Sequence, residues 1–320
     1  MVSRGLRFLS LSIVAAFIAA LLFSVSLDTN FSDLRQLYAD EQSQFLDLPS
    51  GTQAHIRDEG NPDGPVIILL HGSNSSLHTW ERWVDLLGDR YRMISIDLPG
   101  HGLTGRTVEN RYTRADMVRF VAGVANALHI SEFALAGNSM GGGVAWAFAR
   151  RYPNHVTHLI LLAPSGIGRV PQETPMAFRL AENPMTRPML RWLAPRRLIA
   201  NGLYTSFVDD NFVSEDLIDR YWQLNRMTGN RLSTLSRFSL PSPPDLKQFE
   251  GAIQVPSLII WGEDDQILPY DRDRVMWDVR TKFAGGLEEN AIVTFADTGH
   301  LPQVERATES AAVAAHFLAQ

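Results

Sequence analysis

AGNSMGGGVAW, residues 136–146, decides how the rest of the chain is read. One serine, Ser139, stands between Gly137 and Gly141, and Gly142 and Gly143 follow before a helix-forming run. An apolar run of strand length, Phe133–Ala136, leads directly into it. A strand that turns sharply into a helix lifts a hydroxyl at the turn clear of the sheet. Backbones crowd at such a turn, so it demands small residues on both sides. The start of the following helix also aims free N–H groups at the same place. Taken alone, Gly-x-Ser-x-Gly is a common combination, and the flanking strand and helix give it its meaning.

Other apolar runs repeat the strand signal. Val66–Leu70, VIILL, is continuous, as expected of a strand buried on both faces of a parallel sheet. Met93–Ile96, Leu159–Leu162, Leu258–Ile260 and Ile292–Phe295 resemble it, and Phe45–Leu48 and Gln53–Asp58 are shorter candidates near the start. Helical spacing appears between them, over Trp80–Leu87, Arg114–Leu128 and Met140–Tyr152. Strands alternating with helices imply an α/β fold with a mainly parallel sheet and helices on both faces. The alternation stops over 166–245, a proline- and methionine-bearing stretch that reads as a helical cap insertion. Within it Ser214–Gly229 is expected to be a helix, capped by Ser214 and ended by Gly229. Leu240-Pro241-Ser242-Pro243-Pro244 reads as the return hinge.

A serine hydroxyl needs a base to take its proton. His300 follows the last strand candidate and precedes the last helix, at a strand's C-terminal end, where open parallel sheets hold their sites. His71 and His101 lie in Gly-containing turns and read as shaping loops. The remaining histidines, His55, His78, His129, His155, His158 and His316, read as surface, cap or packing residues. The base needs a carboxylate to fix its tautomer. Asp264 and Asp265 both follow the strand Ser257–Ile260, and spacing does not separate them. The N–H of Met140, and that of Ser73 in the loop after Val66–Leu70, are the candidate oxyanion donors.

Five motifs in order carry a family resemblance: His71-Gly72, Asp97-Leu98-Pro99-Gly100-His101-Gly102, Gly137-Asn138-Ser139-Met140-Gly141-Gly142, Gly262-Glu263-Asp264-Asp265 and Gly299-His300. Over about residues 45–320 the chain resembles the α/β-hydrolase superfamily. The resemblance implies that fold and a triad of Ser139, Asp265 and His300. The family's Gly-x-x-Asp spacing favours Asp265 over Asp264 and implies a structural role for Asp97. The elbow is similar to that of hydrolases that cleave carbon–carbon bonds in ring-cleavage products. Those enzymes usually carry a tryptophan after the histidine and glycines after His-Gly. Here Leu301 follows His300, and Ser73-Asn74-Ser75-Ser76 follow Gly72. The expectation is therefore a serine carboxylesterase acting through an acyl-enzyme on a small or medium apolar ester. A C–C hydrolase of the ring-cleavage type, an acyltransferase and a ligand-binding receptor on the same fold are the alternatives.

Composition sets outer bounds. The formal net charge is -6 and there is no cysteine, so a basic nucleic-acid footprint, disulfides and thiolate metal sites are excluded. No motif calls for a metal or organic cofactor, and none is expected. In the insertion, Arg179, Arg187, Arg191, Arg196 and Arg197 could meet an anionic substrate or lipid headgroups, or form a salt-bridged helix face. FLSLSIVAAFIAALLFSVSL, residues 8–27, is uncharged and apolar. Twenty residues at about 1.5 Å each reach roughly 30 Å, a bilayer's apolar thickness. With Arg4 and Arg7 before it, the segment reads as a transmembrane signal-anchor holding the body outside the cytoplasm, in the periplasm if the host is bacterial. Cleavage near Ser24-Val25-Ser26 and secretion is the alternative. The expected organisation is an anchor over 1–27, a tether over 28–44, core over 45–165, cap over 166–245 and core again over 246–320.

Overall fold

The computed structural model describes residues 27–168, 183, 185–186, 192, 195–238, 252–283 and 292–320. Eight strands form one sheet: β1 (Ser43–Asp47), β2 (Gln53–Gly60), β3 (Val66–Leu70), β4 (Arg92–Ile96), β5 (Phe133–Asn138), β6 (Val156–Leu162), β7 (Ser257–Gly262) and β8 (Ile292–Phe295). Their spatial order is β1-β2-β4-β3-β5-β6-β7-β8. The β1–β2 and β2–β4 pairs are antiparallel, and from β4 to β8 every pair is parallel. The continuous apolar runs occupy the middle because both faces of a parallel sheet are covered. In β3, Ile67 and Leu69 point into a core with Trp80 and Trp83. Ile68 and Leu70 point the other way, toward Val121, Val144 and Trp146.

The helix over Arg114–Ala127 begins with a capping box, in which Thr113 and Asp116 satisfy each other's backbone N–H groups. The Trp80–Leu87 signal resolves into a 3-10 turn, Leu77–Trp80, and a helix, Glu81–Leu87. Three α-helices lie between β6 and β7 among the described residues: Arg196–Ser206, Glu215–Asn225 and Asn230–Phe238. Ser214 does cap the second, accepting from the Leu217 N–H at 3.1 Å. That helix ends at Asn225, four residues before the expected stop, and Gly229 instead takes a φ of 94° in the turn to the next helix. The hinge expected at 240–244 lies outside the described residues.

A buried carboxylate ties the front of the molecule together. Asp97, at the end of β4, is fully buried. Its Oδ2 accepts from His55 Nδ1 on β2 at 2.7 Å and from the Leu103 N–H at 2.8 Å; its Oδ1 accepts from the Leu77 N–H at 2.8 Å. Burial pushes the Asp97 carboxyl up, but the hydrogen bond and charge of His55, with His71 and His78 nearby, outweigh this and hold it well below the usual range. Ser43 Oγ lies 3.1 Å from His55 Nε2, so this row repeats the residue types of a catalytic triad. Its Ser43 hydroxyl is engaged by Asp40, and Phe45 stacks on the His55 ring at 4.9 Å, which closes the imidazole to a substrate.

The expected membrane placement is corrected. Among the described residues no helix is long and apolar enough to cross a membrane. The stretch 8–26 lies outside the described residues. Residues 27–38 fold against the body. The Thr29 N–H donates to Arg226 O at 2.9 Å, the Thr228 N–H donates to Thr29 O at 3.0 Å, and Asp28 pairs with Arg231. The helix Phe31–Tyr38 buries Leu34 completely against Leu103, Leu224 and Met227. A location outside the cytoplasm rested on the anchor alone and is not retained.

Asp97→Ala is expected to lower unfolding free energy by about 3–5 kcal/mol, because it leaves buried donors without an acceptor; urea denaturation measures it. A second expectation concerns acid. His78 is buried, and burial with Arg57 and Arg220 lowers its pKa to about 4. Between about 4 and 6.5 the unfolded chain binds a proton there and the folded chain does not. Stability therefore rises with pH across that window and is lost as pH falls through it. Urea midpoints from pH 7 to 4 check the slope, which His78→Gln should flatten.

Candidate active site

Ser139 stands between β5 and the helix Met140–Arg151. Its φ of 52° and ψ of -116° lie outside the regions a side chain favours, the strain that the strand-to-helix turn demands. Its backbone is held on both sides. Its N–H donates to Leu162 O at 2.9 Å, and its carbonyl accepts from Gly143 and Ser165 at 3.0 and 2.9 Å. A Cβ on Gly137 would fall 2.4 Å from Gly141 O, and one on Gly141 only 2.2 Å from Leu70 O. The glycines of the opening motif are thus required by contact between backbones.

The structure brings Asp265 to His300, at 2.7 Å between Oδ2 and Nδ1. Asp264 stays exposed. Both partners are buried, at 3% and 6% exposure, which excludes most competing water. The other oxygen, Oδ1, accepts from the Ile267 and Leu268 N–H groups at 2.8 and 2.9 Å. A carboxylate oxygen accepts, so Nδ1 carries the proton and Nε2 is left as the basic nitrogen. Asn138, adjacent to Ser139, donates from Nδ2 to His300 O at 3.1 Å and to Leu162 O at 3.2 Å. That amide fastens the histidine loop to the elbow. Glu305 fastens the same loop to the inserted helices. Its Oε2 accepts from the Gly299 N–H at 2.5 Å, and its Oε1 accepts from Val208 and Asp209 at 2.7 and 3.2 Å. The His300 N–H itself donates to Ser206 O at 2.8 Å.

The loop after β3 lies against the elbow, since a Cβ on Gly72 would sit 3.2 Å from Ser139 Cβ. Ser73 follows it, and the Met140 N–H begins a helix, where no intrahelical acceptor is available. His71 Nδ1 donates to Gly72 O at 2.7 Å, and its Nε2 accepts from the Leu98 N–H at 3.0 Å. Burial lowers its pKa, so it acts as a neutral loop staple. His101 is similar. Its Nδ1 donates to Pro99 O at 3.0 Å, its Nε2 accepts from Arg237 Nη1 at 2.7 Å, and burial with the Arg237 charge holds it neutral.

Sequence reading overlooked Arg237, Glu305 and the reach of Asn138. Arg237 stands in an unremarkable polar run, and only folding carries its Nη2 to 2.9 Å from Ser73 Oγ. Of the insertion arginines singled out earlier, Arg196 pairs with Glu215 and Asp219 on the helix surface. Arg197 is exposed. Arg179, Arg187 and Arg191 lie outside the described residues. Among the described residues no group of acidic and histidine side chains could hold a metal ion.

Known proteins share this fold. A family model described as alpha/beta hydrolase fold matches residues 65–307. The chain is 28% identical to the 2-hydroxymuconate semialdehyde hydrolase of Pseudomonas sp., over 85% of this chain and 93% of that protein. It is 31% identical to a 2-hydroxy-6-oxononadienedioate/2-hydroxy-6-oxononatrienedioate hydrolase of Burkholderia vietnamiensis, over 85% and 93%. Among solved structures, wild-type Cfl2 of Burkholderia cenocepacia superposes with a TM-score of 0.75 at 23% identity, covering 86% of this chain and 95% of that one, a likeness of fold. With most of its length inside that match, this chain belongs to the alpha/beta hydrolase fold family.

Proposed function

We propose that the chain is a serine-dependent hydrolase that cleaves a carbon–carbon bond in a 2-hydroxy-6-oxo-dienoate. The observation that carries the hydrolytic part is the buried Asp265–His300 pair, tied through Asn138 to the strained turn at Ser139. The substrate follows from the relatives, whose names are those of hydrolases of such dienoates and of a muconate semialdehyde. They favour this reading over the ester hydrolase that the sequence expectation put first, and the elbow residues 137–142 fit it. Leu301 and Ser73 to Ser76 depart from the pattern usual for that activity.

In this reading His300 Nε2 takes the proton of Ser139 Oγ as the oxygen attacks the C6 carbonyl. The N–H groups of Ser73 and Met140 hold the resulting oxyanion. Collapse of the tetrahedral species breaks the C5–C6 bond. This requires that the bound substrate has first ketonised, its 2-hydroxyl proton moving to C5, so that C5 is saturated and C3=C4 is conjugated with a C2 carbonyl. The C5–C6 electron pair then forms C4=C5, the C3=C4 pair shifts to C2=C3, and the C2 oxygen takes the charge and receives the imidazolium proton. An acyl group remains on Ser139. His300 then deprotonates a water, which releases the acyl group as a carboxylic acid and restores the serine. Asp265 holds the imidazole in the required tautomer and stabilises its charged form.

Loss of the dienoate's visible absorption reports turnover directly. The chain is expected to cleave 2-hydroxy-6-oxo-hexa-2,4-dienoates with kcat/KM above that for 4-nitrophenyl butyrate. A dienoate left intact while the ester is turned over rapidly would reject the carbon–carbon assignment. Ser139→Ala should cost at least about a thousandfold in kcat on either substrate, and an equal rate would reject the nucleophile. Glu305→Gln weakens the clasp on the histidine loop without touching substrate. It should lower kcat about tenfold with little change in KM, as single-turnover kinetics would show.

A further inference from the structure

The loop that carries the Ser73 N–H is fastened to the inserted helices by side chains that the mechanism does not use. Asn225 closes the helix Glu215–Asn225. Its Nδ2 donates to Asn74 O at 2.7 Å and to Tyr221 O at 2.8 Å. Two carbonyls can be met only by the NH2 end of an amide, so both of its N–H bonds are committed. One turn earlier on the same helix face, Tyr221 places its hydroxyl 2.9 Å from Ser75 Oγ. The mounting of this pair is firm. Leu224 is buried with Leu34, Leu103 and Met227, and Arg226 O accepts from the Thr29 N–H at 2.9 Å.

The loop passes this hold on through its peptide planes. Asn74 has a φ of 59°, a left-handed conformation that asparagine tolerates better than most residues. Its carbonyl shares a rigid plane with the Ser75 N–H. That N–H donates to Gly72 O at 3.4 Å. Gly72 O in turn shares a plane with the Ser73 N–H, and it also accepts from His71 Nδ1 at 2.7 Å. The N–H of a trans peptide points opposite to its carbonyl, so holding Gly72 O sets where the Ser73 N–H points. Donation to each carbonyl also polarises the N–H across its plane, which strengthens the next bond in the series. A plane held in advance needs no reorientation as charge develops on the substrate. We propose that Asn225 is a positioning residue for the oxyanion donor, with Tyr221 as its second hold, aiming the Ser73 N–H at the carbonyl oxygen under attack. This role rests on the reading of Ser139 as nucleophile and of the Ser73 N–H as a donor, and it gives the insertion a part in the electrostatics of the site.

The test compares 4-nitrophenyl butyrate with its thiono analogue, in which sulfur replaces the carbonyl oxygen. Sulfur is larger and accepts hydrogen bonds weakly, so it gains less from aligned N–H donors. The ratio of kcat/KM for ester over thionoester therefore reads the alignment, and partial loss of folding cancels because both substrates meet the same folded sites. In Asn225→Ala the ratio should fall about tenfold, part of the hundred- to thousandfold that a whole donor is worth. Tyr221→Phe, which removes one hydroxyl and keeps the ring, should lower it about threefold. Glu305→Gln acts on the His300 loop, so it should slow both substrates alike and leave the ratio within about twofold. An unchanged ratio in Asn225→Ala overturns the proposal, as does an equal fall in Glu305→Gln. Should Asn225→Ala not fold, an unchanged ratio in Tyr221→Phe overturns it. If wild type turns over only the dienoate, kcat takes the place of the ratio: Asn225→Ala should lower it about tenfold with KM within about twofold, and an unchanged kcat overturns the role. Turnover that survives Ser139→Ala refutes the nucleophile and this role with it. Turnover lost in Ser139→Ala, with the ratio unchanged in Asn225→Ala, leaves the nucleophile standing and removes only the role of Asn225. A chain that turns over neither substrate overturns both.

Discussion

The carboxylate of Asp97 is the point on which the front half of the molecule is hung. It lies at the end of β4, where the sheet changes from antiparallel to parallel pairing. From there it receives a side chain from β2, the first amide of the Leu77–Trp80 turn, and an amide from the turn after β4. Each bond joins a segment that packing alone leaves with unsatisfied polar groups. Their sum fixes the loop after β3 and the Pro99-Gly100-His101 turn relative to the sheet. The same two segments supply Ser73 and His101, the partners of Arg237. Order at the rim of the sheet thus begins with an interaction buried beneath it.

The rim itself is assembled in a similar manner, with polar groups that look structural holding the candidate catalytic ones. Asn138 spans from the elbow to the His300 carbonyl, and Glu305 spans from the His300 loop to the inserted helices. Two backbone amides occupy the far oxygen of Asp265, so the near one has a single direction left in which to accept. The imidazole orientation follows from these restraints, and hence which nitrogen is free to act as base. Preorganisation of this kind lowers the cost of reaching a charged transition state, because the dipoles are already aligned.

Much of this was legible in local sequence. VIILL at 66–70 and the glycines around Ser139 announce a buried strand and a crowded turn, because burial on two faces and contact between backbones act within a few residues. The choice between Asp264 and Asp265 was different. Adjacent residues of the same type differ only in the direction the turn gives each side chain, and only the family's spacing favoured one of them. Arg237 was beyond reach of any pattern, since its partners lie 164 and 136 residues away in the chain. The early end of the helix at Asn225 also has a tertiary cause. Met227 is needed in the cluster with Leu34 and Leu103, and Arg226 and Thr228 are taken by the backbone of Thr29. The apolar stretch at 8–27 misled for a related reason: hydrophobicity and length describe a candidate span, whereas residues 27–38 answer to the contacts they make on the body.

Those contacts bear on how molecules come and go. The inserted helices are moored on two sides, by residues 27–38 along Arg226 to Arg231 and by Glu305 and His300 at Ser206 to Asp209. A swing of the whole insertion away from the sheet would have to sever both moorings together, several hydrogen bonds and a buried leucine at one stroke. Smaller displacements of side chains and turns between the moorings break fewer of these contacts, so they cost less than a rigid swing of the described helices.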